Sequence, residues 1–196
     1  MKKLDFKLIL PHIIAFVTFL LLSIAFTKPA LEGKVLLQQD VQQVNAMQKQ
    51  SMEFHEKNGY YPRWTNSMFG GMPAYLIAFG PKSGSLISVE SFTKFVTLGF
   101  PKPVYFLFLA GIFFYLLCIV IGINPWLSIL GGIAYGYCSY NPLLIVSGHD
   151  TKMISLAYIP AIIASVLLIF KQKYWIGSPL LLIFMTLIMA QNHLQM

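Results

Sequence analysis

Four sets of residues in this sequence have types and spacings that could do chemistry. Asp40, within KVLLQQDVQQVNAMQ, is a carboxylate able to serve as a general base toward an acceptor hydroxyl. It also reads as a helix cap, because Asp-x-x-Gln over residues 40–43 has the form of a capping box. His149, Asp150 and Lys152, in SGHDTK, stand ahead of an apolar run. A helix starting there would offer unpaired amides beside a basic group, an anion site suited to a lipid phosphate. The plainer alternative is a cap with a lysine snorkelling to water. Arg63 and Trp64 could grip a phosphate and stack on a sugar, or simply anchor the chain at a membrane interface together with Tyr60 and Tyr61. Asn192 and His193 close the sequence with polar groups that are costly to bury unpaired. Glycine-rich phosphate loops, nucleophile elbows and HExxH motifs are absent, which argues against an ATPase, a serine hydrolase or a zinc protease.

The elements that must position these residues are mostly apolar. Runs over residues 8–26, 104–123, 125–140, 153–170 and 174–190 predict five transmembrane helices, the first long enough at 1.5 Å per residue to cross a hydrocarbon layer of about 30 Å. Pro11 is expected in the first turn of its helix, where a missing N–H does little harm. Between the first and second runs lies a long polar loop, residues 27–102. Within it Val41, Val44, Met47 and Phe54 recur at helical spacing, predicting an amphipathic juxtamembrane helix that stops at Asn58 and Gly59. Gly70, Gly71 and Pro73 then require an irregular, aromatic-rich stretch. A second juxtamembrane helix is predicted where Leu86, Val89, Phe92 and Val96 form one stripe. NPLLIVSGHDTK reads as the connection between the third and fourth spans. Gly132 and Gly136 form a small-xxx-small pair that permits close helix contact. No separate soluble domain is expected.

Composition agrees. The chain has 196 residues, 57% hydrophobic and 11% charged, against about 25% charged for a soluble domain. Its net charge of +7 comes from scattered lysines and a single arginine, a pattern that fits membrane anchoring and not a nucleic-acid patch. Cys118 and Cys138 lie in different apolar runs without metal-ligand spacing and are expected to pack as small residues, unbridged. No cofactor is indicated, although a divalent metal remains compatible with the acidic residues. The N-terminal run is longer than a signal-peptide core and lacks an A-x-A cleavage site, so it is expected to stay as a membrane helix. Lys2, Lys3, Lys7, Lys171 and Lys173 flank one side in short segments, which places the N-terminus in the cytoplasm and the long loop outside. With that orientation all four candidate sets converge on the outer face.

LLQQDVQQ, YPRWTNSMFGGMPAY, VSGHDTKMISLAYIP and AQNHLQM together resemble the N-terminal region of the YfhO family of bacterial membrane proteins. That family is similar to the GT-C glycosyltransferases, which take a sugar from a polyprenyl-phosphate donor on the outer face. The resemblance implies a GT-C-like all-α membrane fold in a bacterial cytoplasmic membrane. It also implies a polyprenyl-phosphate-linked donor as partner, Asp40 as the catalytic carboxylate of the first outer loop, and two juxtamembrane helices in that loop. Members of that superfamily have more spans, so the chain is expected to be part of a longer protein. A transporter or flippase of a lipid-linked or polar solute, with ionisable residues near the bilayer midplane, is the alternative from another class. A non-catalytic membrane scaffold is a third.

Overall fold

A computed structural model describes residues 6–76 and 99–190. The predicted helix over residues 86–96 and the pair Asn192 and His193 lie outside the described residues. Helix α1 (Phe6–Phe26) is already helical at Phe6, two residues ahead of the hydropathy start, so Pro11 lies beyond the first turn expected for it and is buried. A short helical turn, α2 (Lys28–Leu31), follows, and after an extended stretch comes α3 (Gln39–Asn58). Gly59 ends α3 in the left-handed conformation, its N–H donating to the His55 carbonyl, as the Asn58–Gly59 stop signal required. Two short strands, β1 (Trp64–Thr65) and β2 (Met72–Pro73), then pair antiparallel, with Trp64 opposite Pro73. Helices α4 (Lys102–Ile121), α5 (Pro125–Gly136), α6 (Tyr140–Ser147), α7 (Asp150–Phe170) and α8 (Tyr174–Ala190) complete the described chain.

The protein is mostly helical and carries four helical stretches long and apolar enough to cross a membrane: α1, α4, α5 joined with α6, and α7. The fifth expected span, α8, is apolar but shorter over the described residues. The third span differs from expectation. It does not end at residue 140; it breaks after Gly136, restarts at Tyr140 and runs on to Ser147. Asn141–Pro142, which reads as a loop signal, instead lies in the first turn of α6, where a proline without an N–H is tolerated. The buried Asn141 amide donates to the carbonyls of Tyr135 (2.8 Å) and Gly136 (3.2 Å), so the acceptors freed by the break are satisfied inside the protein, as a bilayer demands.

Helix α4 is the centre of the bundle, packed against α1, α5 and α7, while α7 also packs on α8. Its contact with α5 is close because glycines face each other. A Cβ on Gly132 would lie 2.7 Å from the Gly111 carbonyl oxygen and 2.5 Å from Cζ of Phe19. Phe19 of α1 therefore fills a slot that only glycines leave open. Some polar side chains in the bundle pair across elements, while Ser155 and Ser165 bond back to their own helix. His12 Nδ1 lies 2.6 Å from the Tyr115 hydroxyl, Ser23 lies 3.2 Å from the Tyr137 hydroxyl, and Tyr135 donates to the Leu156 carbonyl at 2.8 Å. Both cysteines are free, Cys118 buried and Cys138 exposed.

Candidate functional site at the loop end of the bundle

The chain turns from α6 into α7 through two residues, Gly148 and His149. Gly148 takes φ +95° and its N–H donates to the Leu144 carbonyl, ending α6; His149 donates to the same carbonyl and caps the start of α7. The first turn of α3 rests on this corner. A Cβ on Gly148 would meet Gln38 Cβ and Val41 Cγ2, both at 3.1 Å, so glycine is needed for the close approach as well as for the backbone angle.

Four polar contacts fix the junction. Gln38 Nε2 donates to the Ile145 carbonyl at 2.6 Å, and Asp150 Oδ1 lies 3.4 Å from the same nitrogen. His149 Nε2 lies 3.1 Å from Asp40 Oδ2. Lys102, first residue of α4, reaches Asp150 Oδ2 at 2.8 Å. Helix dipoles explain that last pair. Asp150 in the first turn of α7 is favourably placed, whereas Lys102 at the start of α4 is not, and the ion pair offsets the mismatch.

Asp40 therefore has a different local role from the capping box its sequence suggests. The cap position of α3 belongs to Gln38, Asp40 is the second residue of the helix, and the Gln38 side chain is directed at α6 and α7 instead of capping its own helix. Asp40 still benefits from the N-terminal dipole, and it has a cross-chain partner in His149.

Beside this junction is a cavity of about 540 Å³. Its walls are largely apolar, with Phe26, Pro29, Leu36, Pro142 and Val146 among them, and Gln38, Lys34, Lys102 and Asp150 supply its polar groups. Lys34 also pairs with Glu32 at 2.9 Å. An apolar hollow with cations at its rim and a carboxylate–imidazole pair next to it can hold an amphiphile by its anionic end and present that end to a base.

The remaining sequence candidates are distributed as follows. Asp40, His149 and Asp150 come together at one end of the bundle. Lys152 is in the same turn of α7, but its Nζ lies 5.3 Å from the centre of the Tyr140 ring, a cation–π contact on α6, and it does not line the cavity. Arg63 and Trp64 belong to the β1–β2 unit beyond the C-terminus of α3. The indole packs over Gly71, where a Cβ would lie 2.6 Å from Trp64 Nε1, and among the described residues neither side chain contacts the junction. Gln38, Lys34, Lys102 and Gly148 were missed. Only Gly148 carried a local signal, a glycine directly before a candidate helix start. Among the described residues, no group of three or more His, Cys, Asp or Glu side chains is placed to hold a metal.

No family model, curated protein or solved structure matches the chain.

Proposed function

We propose that this membrane protein is a GT-C-like glycosyltransferase of the YfhO type, moving a sugar from a polyprenyl-phosphate-linked donor to an extracytoplasmic acceptor. The observation that carries the proposal is the Asp40–His149 pair at 3.1 Å, set beside an apolar cavity rimmed by lysines. In this reading the acceptor hydroxyl gives its proton to the pair and its oxygen bonds to the anomeric carbon. The bond from that carbon to the phosphate oxygen breaks, and the lipid phosphate leaves. Lys102 and Lys34 take the role of holding the phosphate that sequence alone gave to Lys152. His149 shifts from phosphate ligand to partner of the base. The donor's hydrocarbon lies along Phe26, Pro29, Leu36 and Val146.

Sugar transfer from a polyprenyl-phosphate-linked donor is the test, measured in membranes at matched expression for wild type, Asp40→Asn and His149→Gln. An amide cannot accept the proton, so Asp40→Asn is expected to lose about 10² to 10⁴ in rate. Because the pair is partly exposed, with the Asp40 side chain 39% accessible, its loss costs only about 0.2–1 kcal/mol of stability. Near-wild-type turnover of both variants would remove the dyad from the mechanism.

A further inference from the structure

The segment that leads into α3 forms one wall of the cavity, and few bonds hold it there. Gly33, Lys34, Val35, Leu36 and Gln38 line the hollow together with Pro103, Pro142 and Ile145 of the bundle. At its near end the segment is tied to α2, where the Gly33 and Lys34 amides donate to the carbonyls of Ala30 (3.3 Å) and Pro29 (3.0 Å). Gly33 takes φ +77° with open space where a Cβ would stand, so the chain can swing at this point without a clash. Beyond it, among the described residues, no hydrogen bond holds Val35, Leu36 or Leu37, and Val35 and Leu37 are 92% and 82% exposed.

The segment meets the bundle again at its far end. The Gln38 amide reaches the Ile145 carbonyl at 2.6 Å, and two residues later Asp40 meets His149. Ile145 lines the cavity yet is only 4% exposed. Helix α3 packs along its length against none of the bundle helices. Its Met47, Gln50, Phe54 and His55 contact residues 60–67 instead. The helix and the β1–β2 hairpin therefore form one body, which is joined to the bundle through the segment and the α6–α7 corner.

We propose that residues 33–41 are a strap that closes over the cavity, hinged at Gly33 and latched by Gln38 on the Ile145 carbonyl. An element with few hydrogen bonds and exposed apolar side chains is the kind that opens locally while the packed helices stay folded. Release of the latch lets a bulky ligand pass, and its return shuts the ligand in. Asp40 rides on the strap, so closure also brings the carboxylate to His149, and the pair forms only in the closed state. The strap follows from how the segment is attached and holds for any ligand of the cavity, whether or not the pair serves sugar transfer.

Gln38→Leu keeps the bulk of the latch and removes its donor. The full chain in detergent, lacking Cys138 and carrying Ile145→Cys, is treated with N-ethylmaleimide, and the modified sites are read by peptide mass spectrometry. Cys118, buried in α4 away from the cavity, is the internal control. Adding Gln38→Leu should speed modification at position 145 about tenfold, because the Ile145 carbonyl loses its partner unless the strap lifts and water reaches it. Modification of Cys118 should stay as slow as before. A bimane on Leu36→Cys, on the strap itself and outside the packed core, gives a second readout whose emission should shift to the red in Gln38→Leu. An unchanged rate at position 145 with unchanged emission would overturn the strap, as would an equal acceleration at Cys118, which signals general loosening. Neither readout depends on catalysis, so failure here and failure of sugar transfer are separate results.

Discussion

At the scale of single residues, the α6–α7 corner depends on Gly148 more than on any charged group. An alanine there must hold φ near +95° and must fit a methyl at 3.1 Å from both Gln38 and Val41. Gly148→Ala is expected to weaken the seating of α3 by about 1–3 kcal/mol. The readout is tryptic cleavage at the exposed Lys34 in the stretch leading into α3, which should accelerate in the variant, while an unchanged cleavage rate would mean the corner does not hold α3. The same scale explains which site residues were legible. Asp40 and His149 could be picked out one by one because their chemistry is intrinsic to the side chain. Lys102 and Gln38 could not, since their partners are 48 and 112 residues away in sequence and no spacing encodes such a pairing. The capping-box reading of Asp40 failed for a related reason: tertiary contacts drew Gln38 into the cap position and turned its side chain toward α6.

At the scale of elements, hydropathy located α1, α4, α5, α7 and α8 but read α6 as a connection, and the ends were decided by contacts it does not contain. The third span shows this best. Asn141–Pro142 is a turn signal in isolation, but within the bundle Asn141 satisfies the two carbonyls that the break frees, so the helix resumes and the connection shrinks to Gly148 and His149. The glycine pair on α5 was legible as a packing device, though its partners, Gly111 and Phe19, were not. Gly132→Ala should destabilise the bundle by about 1–3 kcal/mol, because the new methyl would press on the Gly111 carbonyl, which cannot rotate away. Its neighbour supplies the control. A Cβ on Gly131 has the Phe114 ring edge at 3.3 Å as its nearest neighbour, which needs only a small side-chain adjustment. Thermal unfolding in detergent should separate the two variants, and equal midpoints would contradict the α4–α5 contact described above.

At the scale of the whole molecule, α1, α4, the α5–α6 pair and α7 alternate in direction, so the long loop and the α6–α7 corner share one end while the Lys171–Lys173 turn takes the other. With the lysine-rich turn held on the cytoplasmic side, Asn66→Cys in the loop should react with an impermeant maleimide added to intact cells. Gln172→Cys should react only after permeabilisation, both in a background lacking Cys118 and Cys138. The reverse pattern would place the Asp40–His149 pair on the cytoplasmic side and remove the extracytoplasmic acceptor from the proposed reaction.

The ion pairs around the cavity bear on how it would bind the anion proposed for it. Lys102 already faces Asp150 and Lys34 already faces Glu32, so the resting hollow carries little net field. In the proposed reaction an arriving anion would trade places with a carboxylate that stays close by, and on departure the carboxylate would close back onto the lysine. Such a site draws ligands weakly from a distance and recognises them on contact, which keeps its occupancy less sensitive to ionic strength than an open cationic patch would be. For a reaction whose leaving group is itself an anionic lipid, that exchange gives the product a way out.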